Sequence, residues 1–119
     1  PGSSLLNTAK GLEYSDNDPD FYRELLRLFT EEAPKSLERL SSALADNDLE
    51  LYTTLVHGLK NNARGIGADS AGELCFEAEQ TARAGNAAPL PELHLKIEQA
   101  ITEAAAEAAR LSEAEKITQ

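Results

Sequence analysis

Apolar residues recur along most of the chain at the three- and four-residue intervals of an α-helix, and no stretch alternates as a half-buried strand would. Tyr52, Leu55, Val56, Leu59, Ala63 and Ile66 form a stripe of the kind a helix buries against its neighbours. Leu93, Ile97, Ile101, Ala104, Ala108 and Leu111 form another, which predicts a last long helix to about residue 115 after a proline-containing connection at 87–91. From Phe21 onward, Leu25, Leu28, Phe29, Leu37, Leu40 and Leu44 keep the same spacing to about residue 46. That helix has a marked start. Asp18 can cap it, Pro19 fits its first position, where the missing N–H is harmless, and Asp20 suits the positive end of the dipole. Pro34 interrupts the run at a cost of about 3 kcal/mol, yet the periodicity resumes in phase, which predicts one kinked helix.

The remaining boundaries follow from turn chemistry. Asn47, with Glu50 three residues later, resembles a capping box opening a helix over about 48–65. Gly65 and Gly67 end it, and a third long helix is expected over about 68–84, stopping at Gly85-Asn86. Leu5, Leu6, Ala9 and Leu12 predict a short helix within about 4–14. Short links between long helices imply antiparallel neighbours. The expected fold is therefore all-α, an antiparallel up-down-up-down four-helix bundle over about 18–115 with a short extra N-terminal helix.

Length and composition narrow this picture. A chain of 119 residues suits one domain, and PGSS at 1–4 resembles a linker or cloning remnant. The formal charge of -10 argues against nucleic-acid and anionic-membrane partners. No run approaches the roughly 20 apolar residues of a membrane span and no signal-peptide pattern opens the chain, so a cytoplasmic protein is expected. Cys75, the single cysteine, has apolar neighbours and reads as a small buried residue in a reducing compartment. Two histidines and one cysteine offer no metal-ligand spacing, so neither a metal nor a cofactor is expected on this chain.

The chemistry concentrates in HGLKNNARGIGA, residues 57–68. His57 follows the buried Val56 position and belongs at the edge of the stripe with its ring reaching solvent. Lys60, Asn61 and Arg64 stand three, four and seven residues on, so one helix face is expected to present an imidazole beside two cations, a setting suited to phosphate. A phosphate-accepting histidine attacks through a neutral ring nitrogen, and with an ordinary pKa of about 6.5 an exposed histidine is mostly neutral at pH 7. Nearby like charge from Lys60 and Arg64 would disfavour the protonated ring. His94, between Leu93 and Leu95, has no such cationic pattern and reads as structural.

The same stretch resembles the signature of histidine-containing phosphotransfer (HPt) domains, roughly HxLKG followed later by GA. His57, Leu59, Lys60, Gly67 and Ala68 match. The resemblance extends to LLRLFTEEAPKSLERLSSAL at 25–44, to Asp48 as the DxxxL entry, and to Cys75 with Glu79 as the family's C…xE pattern. It implies a four-helix bundle, phosphorylation of His57, an auxiliary role for Lys60, and exchange of phosphate with an aspartate of a response-regulator receiver domain, such as that of a hybrid histidine kinase. The partner would supply Mg²⁺, the isolated domain would be a monomer, and no autonomous kinase activity is implied. Docking surface is expected from apolar or small residues around His57 on the second and third long helices. Asn61 occupies the family's glycine position, where it either obstructs docking or donates a hydrogen bond to the phosphoryl group. Ala71 stands where the family often has leucine. A second reading stays open, a non-catalytic helical adaptor that binds a receiver or kinase without being phosphorylated.

Overall fold

A computed structural model describes residues 5–114; the suggested linker at 1–4 lies outside the described residues. Five helices follow one another: α1 (Thr8–Tyr14), α2 (Pro19–Ala45), α3 (Leu49–Gly65), α4 (Asp69–Arg83) and α5 (Leu90–Ser112). The four long ones form the expected antiparallel bundle, 43 Å along its longest axis. In this ring α2 packs on α3 and α5, α4 packs on the same two, and α1 rests on α2 and α3.

Helix starts obey side-chain capping. Asp18 Oδ1 accepts from the backbone N–H groups of Asp20 at 3.0 Å and Phe21 at 3.3 Å, ahead of Pro19 at the first position. For α3 the cap is Asp48, which accepts from Leu51 N–H at 3.1 Å, and not the expected Asn47. Asn47 instead takes a left-handed conformation, φ 54°, in the turn leaving α2, a role asparagine tolerates well. Helix α5 begins at Leu90, inside the segment expected to be a connection, because Pro91 near the helix start has no backbone hydrogen bond to lose. Helix α1 is shorter than expected: Leu5 is exposed ahead of it, and Ala9 is exposed on it.

The buried stripes of α3 and α5 match the sequence pattern; that of α2 is displaced. Its core residues are Tyr22, Leu26, Phe29, Ala33, Leu40 and Ala43, while Phe21 and Leu28 are exposed and Leu25 is half-buried. Helix α2 faces α3 and α5 at once, so its buried side is set by two neighbours and not by the row richest in leucine. It runs unbroken through Pro34, with Ala33 and Leu40 packed in the core on either side. Burial there offsets the proline's local cost.

At one end of the bundle, Tyr22 passes so close to Gly11 that a Cβ there would lie 2.4 Å from its ring, and its hydroxyl donates to the Ile66 carbonyl at 2.8 Å. Beside it, Gly67 turns the chain from α3 into α4 with φ 87°, and its carbonyl accepts from Asn7 N–H at 2.8 Å. A Cβ on Gly67 would stand 2.2 Å from the Asn7 carbonyl oxygen. Gly67→Ala combines a left-handed L-residue with a collision against backbone, and should destabilise the domain by about 2–3 kcal/mol. A lowered urea midpoint at unchanged slope would register this, whereas an unchanged midpoint would show that the turn relaxes freely.

Candidate functional site

Helix α3 carries His57 out at the rim of the core stripe formed by Tyr52, Val56, Leu59 and Ala63. The imidazole is 50% exposed, as the sequence pattern indicated. Around it α3 is built of small or polar residues: Gly58, exposed with open space where a Cβ would go, and the exposed Asn61 and Asn62. A groove of about 450 Å³ opens alongside between α2 and α3, lined by Leu25, Leu28, Phe29, Ala33, Leu59 and Asn61 among others. This groove lies on the α2 side of α3.

The expected row of an imidazole between two solvent-facing cations does not form. Lys60 is only 8% exposed. Its ammonium turns into the bundle and donates to Glu79 Oε1 at 2.7 Å, with the Phe76 ring centroid 5.4 Å away. Arg64 lies across α4: its guanidinium pairs with Glu73 at 3.4 Å, sits 5.6 Å from the Phe76 centroid, and its side chain occupies the space where a Cβ on Gly72 would be. The reason is physical. A long cationic side chain at a boundary position goes where a counter-ion waits, and α4 supplies carboxylates for both.

The residue that organises the site is Glu79, on the buried stripe of α4 with Cys75, Ala78 and Ala82. Its carboxylate is 2% exposed and has three partners: His57 Nδ1 at 2.7 Å, Lys60 Nζ at 2.7 Å and Arg83 Nη2 at 2.9 Å. Burial alone would push its pKa up. The hydrogen bonds and charges of Lys60 and His57 outweigh that and hold the carboxyl down at about 2. In the sequence Glu79 stands out only through the family pattern it shares with Cys75. Its own signal was available, since an acid between Ala78 and Ala82 on a buried stripe needs a cation partner.

An ionised Glu79 determines the tautomer of the ring. A carboxylate can only accept, so Nδ1 carries a proton, and in the neutral form of the imidazole the lone pair is at Nε2. The 3.4 Å approach of Lys60 Nζ to Nδ1 is then a neighbour contact between two donors. On the other side, Asn61 Nδ2 lies 3.3 Å from Nε2 and is placed to donate to that lone pair. The nearest full charge to the ring is therefore a carboxylate, and not the pair of cations the helix offsets suggested.

The other histidine is a core group. His94 is 5% exposed, with Nδ1 3.1 Å from the Tyr52 hydroxyl and Nε2 3.5 Å from a Glu98 carboxylate oxygen without hydrogen-bond geometry. Cys75 is fully buried, and burial pushes its thiol up to about 12, with opposing effects from the Arg64 and Lys60 charges. Among the described residues no three His, Cys, Asp or Glu side chains gather as a metal site. No helix among them is long and apolar enough to cross a membrane.

A family model described as the Hpt domain matches residues 24–107. Among curated proteins none matches at a significant level. Two solved structures resemble the chain closely in backbone, each over 94% of this chain and 97% of its own. One is the HPT domain of an Hpt sensor hybrid histidine kinase from Shewanella, at 20% identity and a TM-score of 0.83. The other is histidine-containing phosphotransfer protein B from Pseudomonas aeruginosa PAO1, at 21% identity and a TM-score of 0.85. At such identities the likeness is one of fold.

Proposed function

Because the chain belongs to the Hpt domain family, and so serves phosphotransfer in two-component signalling, we propose that His57 accepts a phosphoryl group from a receiver-domain aspartate and passes it to another. The observation that carries this reading is the 2.7 Å contact of Glu79 with Nδ1 of a half-exposed ring, which reserves Nε2 as the nitrogen for attack. In the forward step the Nε2 lone pair forms the P–N bond while the P–O bond to the donor aspartate breaks, and the electron pair leaves with the carboxylate. The ring gains positive charge as that bond forms. The Glu79 carboxylate, already aimed at Nδ1–H, stabilises that charge without having to reorganise.

Lys60 acts in this scheme by holding Glu79 and keeping it ionised, since its ammonium is committed to the carboxylate at 2.7 Å. Arg64, bound to Glu73 and stacked near Phe76, belongs to the α3–α4 interface. The apolar groove between α2 and α3 provides the surface on which a receiver rests, and the partner's acidic pocket brings the Mg²⁺. The phosphoryl group comes from that receiver, carried in the cytoplasm by a hybrid histidine kinase or a separate regulator, and this domain, a monomer, contributes no kinase activity of its own.

One observation favours the adaptor reading, the Asn61 amide lying on Nε2. The deciding experiment incubates the domain with a phosphorylated receiver and Mg²⁺ and follows transfer. Acid-labile, base-stable label on this chain is the expected result. A stable complex with no label at any time would replace the phosphorelay role with the adaptor.

A further inference from the structure

The two nitrogens of His57 are held in opposite ways. Nδ1–H donates to Glu79, and Nε2 receives the Asn61 amide at 3.3 Å. The helix brings Asn61 there, since residues four apart share a face. Both contacts select the same ring tautomer, but they differ in consequence. Glu79 leaves the reacting lone pair untouched, whereas Asn61 occupies it. We infer that Asn61 is a latch on the nucleophile: its amide covers the Nε2 lone pair in the resting domain and must swing off before phosphorus can approach.

The surroundings allow that movement. Asn61 is exposed on the rim of the α2–α3 groove, and Gly58, one turn earlier on α3, leaves open space beside the ring. The Asn61 contact is solvent-accessible and long for a hydrogen bond, so it is weak enough to open. The shorter contacts of the buried Glu79 carboxylate, at 2.7–2.9 Å, stay in place while it does. Once the P–N bond has formed, Nε2 has no lone pair to offer, and the released amide can donate to a phosphoryl oxygen instead. The latch thus slows the acceptance of phosphate by an otherwise prepared imidazole.

This inference rests on the nucleophilic role proposed for His57, but its test needs no receiver. Phosphoramidate is a small donor that phosphorylates imidazole directly: its P–N bond breaks, ammonia departs, and the new bond forms at Nε2. Labelling by phosphoramidate would be timed in the parent domain and in Asn61→Ala, a substitution that favours the helix. The variant should be labelled about three- to tenfold faster, the factor expected for releasing one modest hydrogen bond. In the unphosphorylated proteins in mildly alkaline buffer, the ¹⁵N resonance of His57 Nε2 should move on substitution while the Nδ1–H tautomer persists. A merely structural role for Asn61 would move neither readout. Equal or slower labelling, or an unmoved Nε2 resonance, would overturn the latch. Failure of transfer from every receiver, with faster phosphoramidate labelling of the variant retained, would instead remove the phosphorelay reading and leave the latch standing.

Discussion

His57→Gln should abolish the acid-labile label that the domain acquires from a phosphorylated receiver, and should do so without unfolding it. The ring is half exposed, and its one strong contact is the hydrogen bond to Glu79, so the substitution should change stability by about 1 kcal/mol or less. Loss of label would therefore report chemistry. The other histidine and the cysteine are closed off by the fold. His94 is 5% exposed with Nδ1 taken by Tyr52, and Cys75 is fully buried with its thiol raised to about 12 by burial. Lability adds a second filter, because a phosphoramidate bond survives base and fails in acid, unlike phosphoserine. Label that persists in His57→Gln with that lability would sink the assignment.

How legible this was differs between the fold and the site. Helix number, boundaries to within a few residues and the bundle followed from periodicity and from capping at Asp18, because those signals are local. The displaced stripe of α2 was not local: which of Phe21 or Tyr22, Leu25 or Leu26 faces inward depends on α5, which lies far away in sequence. The same limit governed the site. His57 at the rim of α3 was readable from its place beside Val56. The direction of Lys60 was not, since a lysine beside a core stripe can extend to water or fold inward, and the choice was made by a carboxylate on the next helix. The GA element illustrates a third case. Gly67 and Ala68 belong to the phosphotransfer signature, and their visible work is structural: Gly67 takes a left-handed turn against the Asn7 backbone and Ala68 is buried.

Removing the organising carboxylate should have the largest combined effect on stability and transfer. Glu79→Gln preserves shape but leaves the Lys60 ammonium, 8% exposed, without its counter-ion, and breaking a buried pair from one side should cost about 3 kcal/mol. Transfer to His57 should fall by about ten- to a hundredfold, because a neutral amide no longer stabilises the charge developing on the ring. The two effects separate in Lys60→Gln/Glu79→Gln, which removes both charges. Stability should partly recover, as expected for coupled neighbours, while transfer stays low. Full recovery of transfer in the double variant would mean that Glu79 serves only to neutralise Lys60. Acid supplies an independent check with a definite sign. The Glu79 pKa is lowered on folding from its ordinary 4.5 to about 2, so its carboxylate stabilises the fold fully above about 4.5 and that contribution drains away as pH falls through about 2. The stability gap between the parent and Glu79→Gln, measured by urea unfolding across acid pH, should therefore be widest above about 4.5 and close towards about 2. A gap independent of pH across that window would place the cost of the substitution in packing and not in the ionised carboxylate that holds Lys60 inward and His57 in its reactive tautomer.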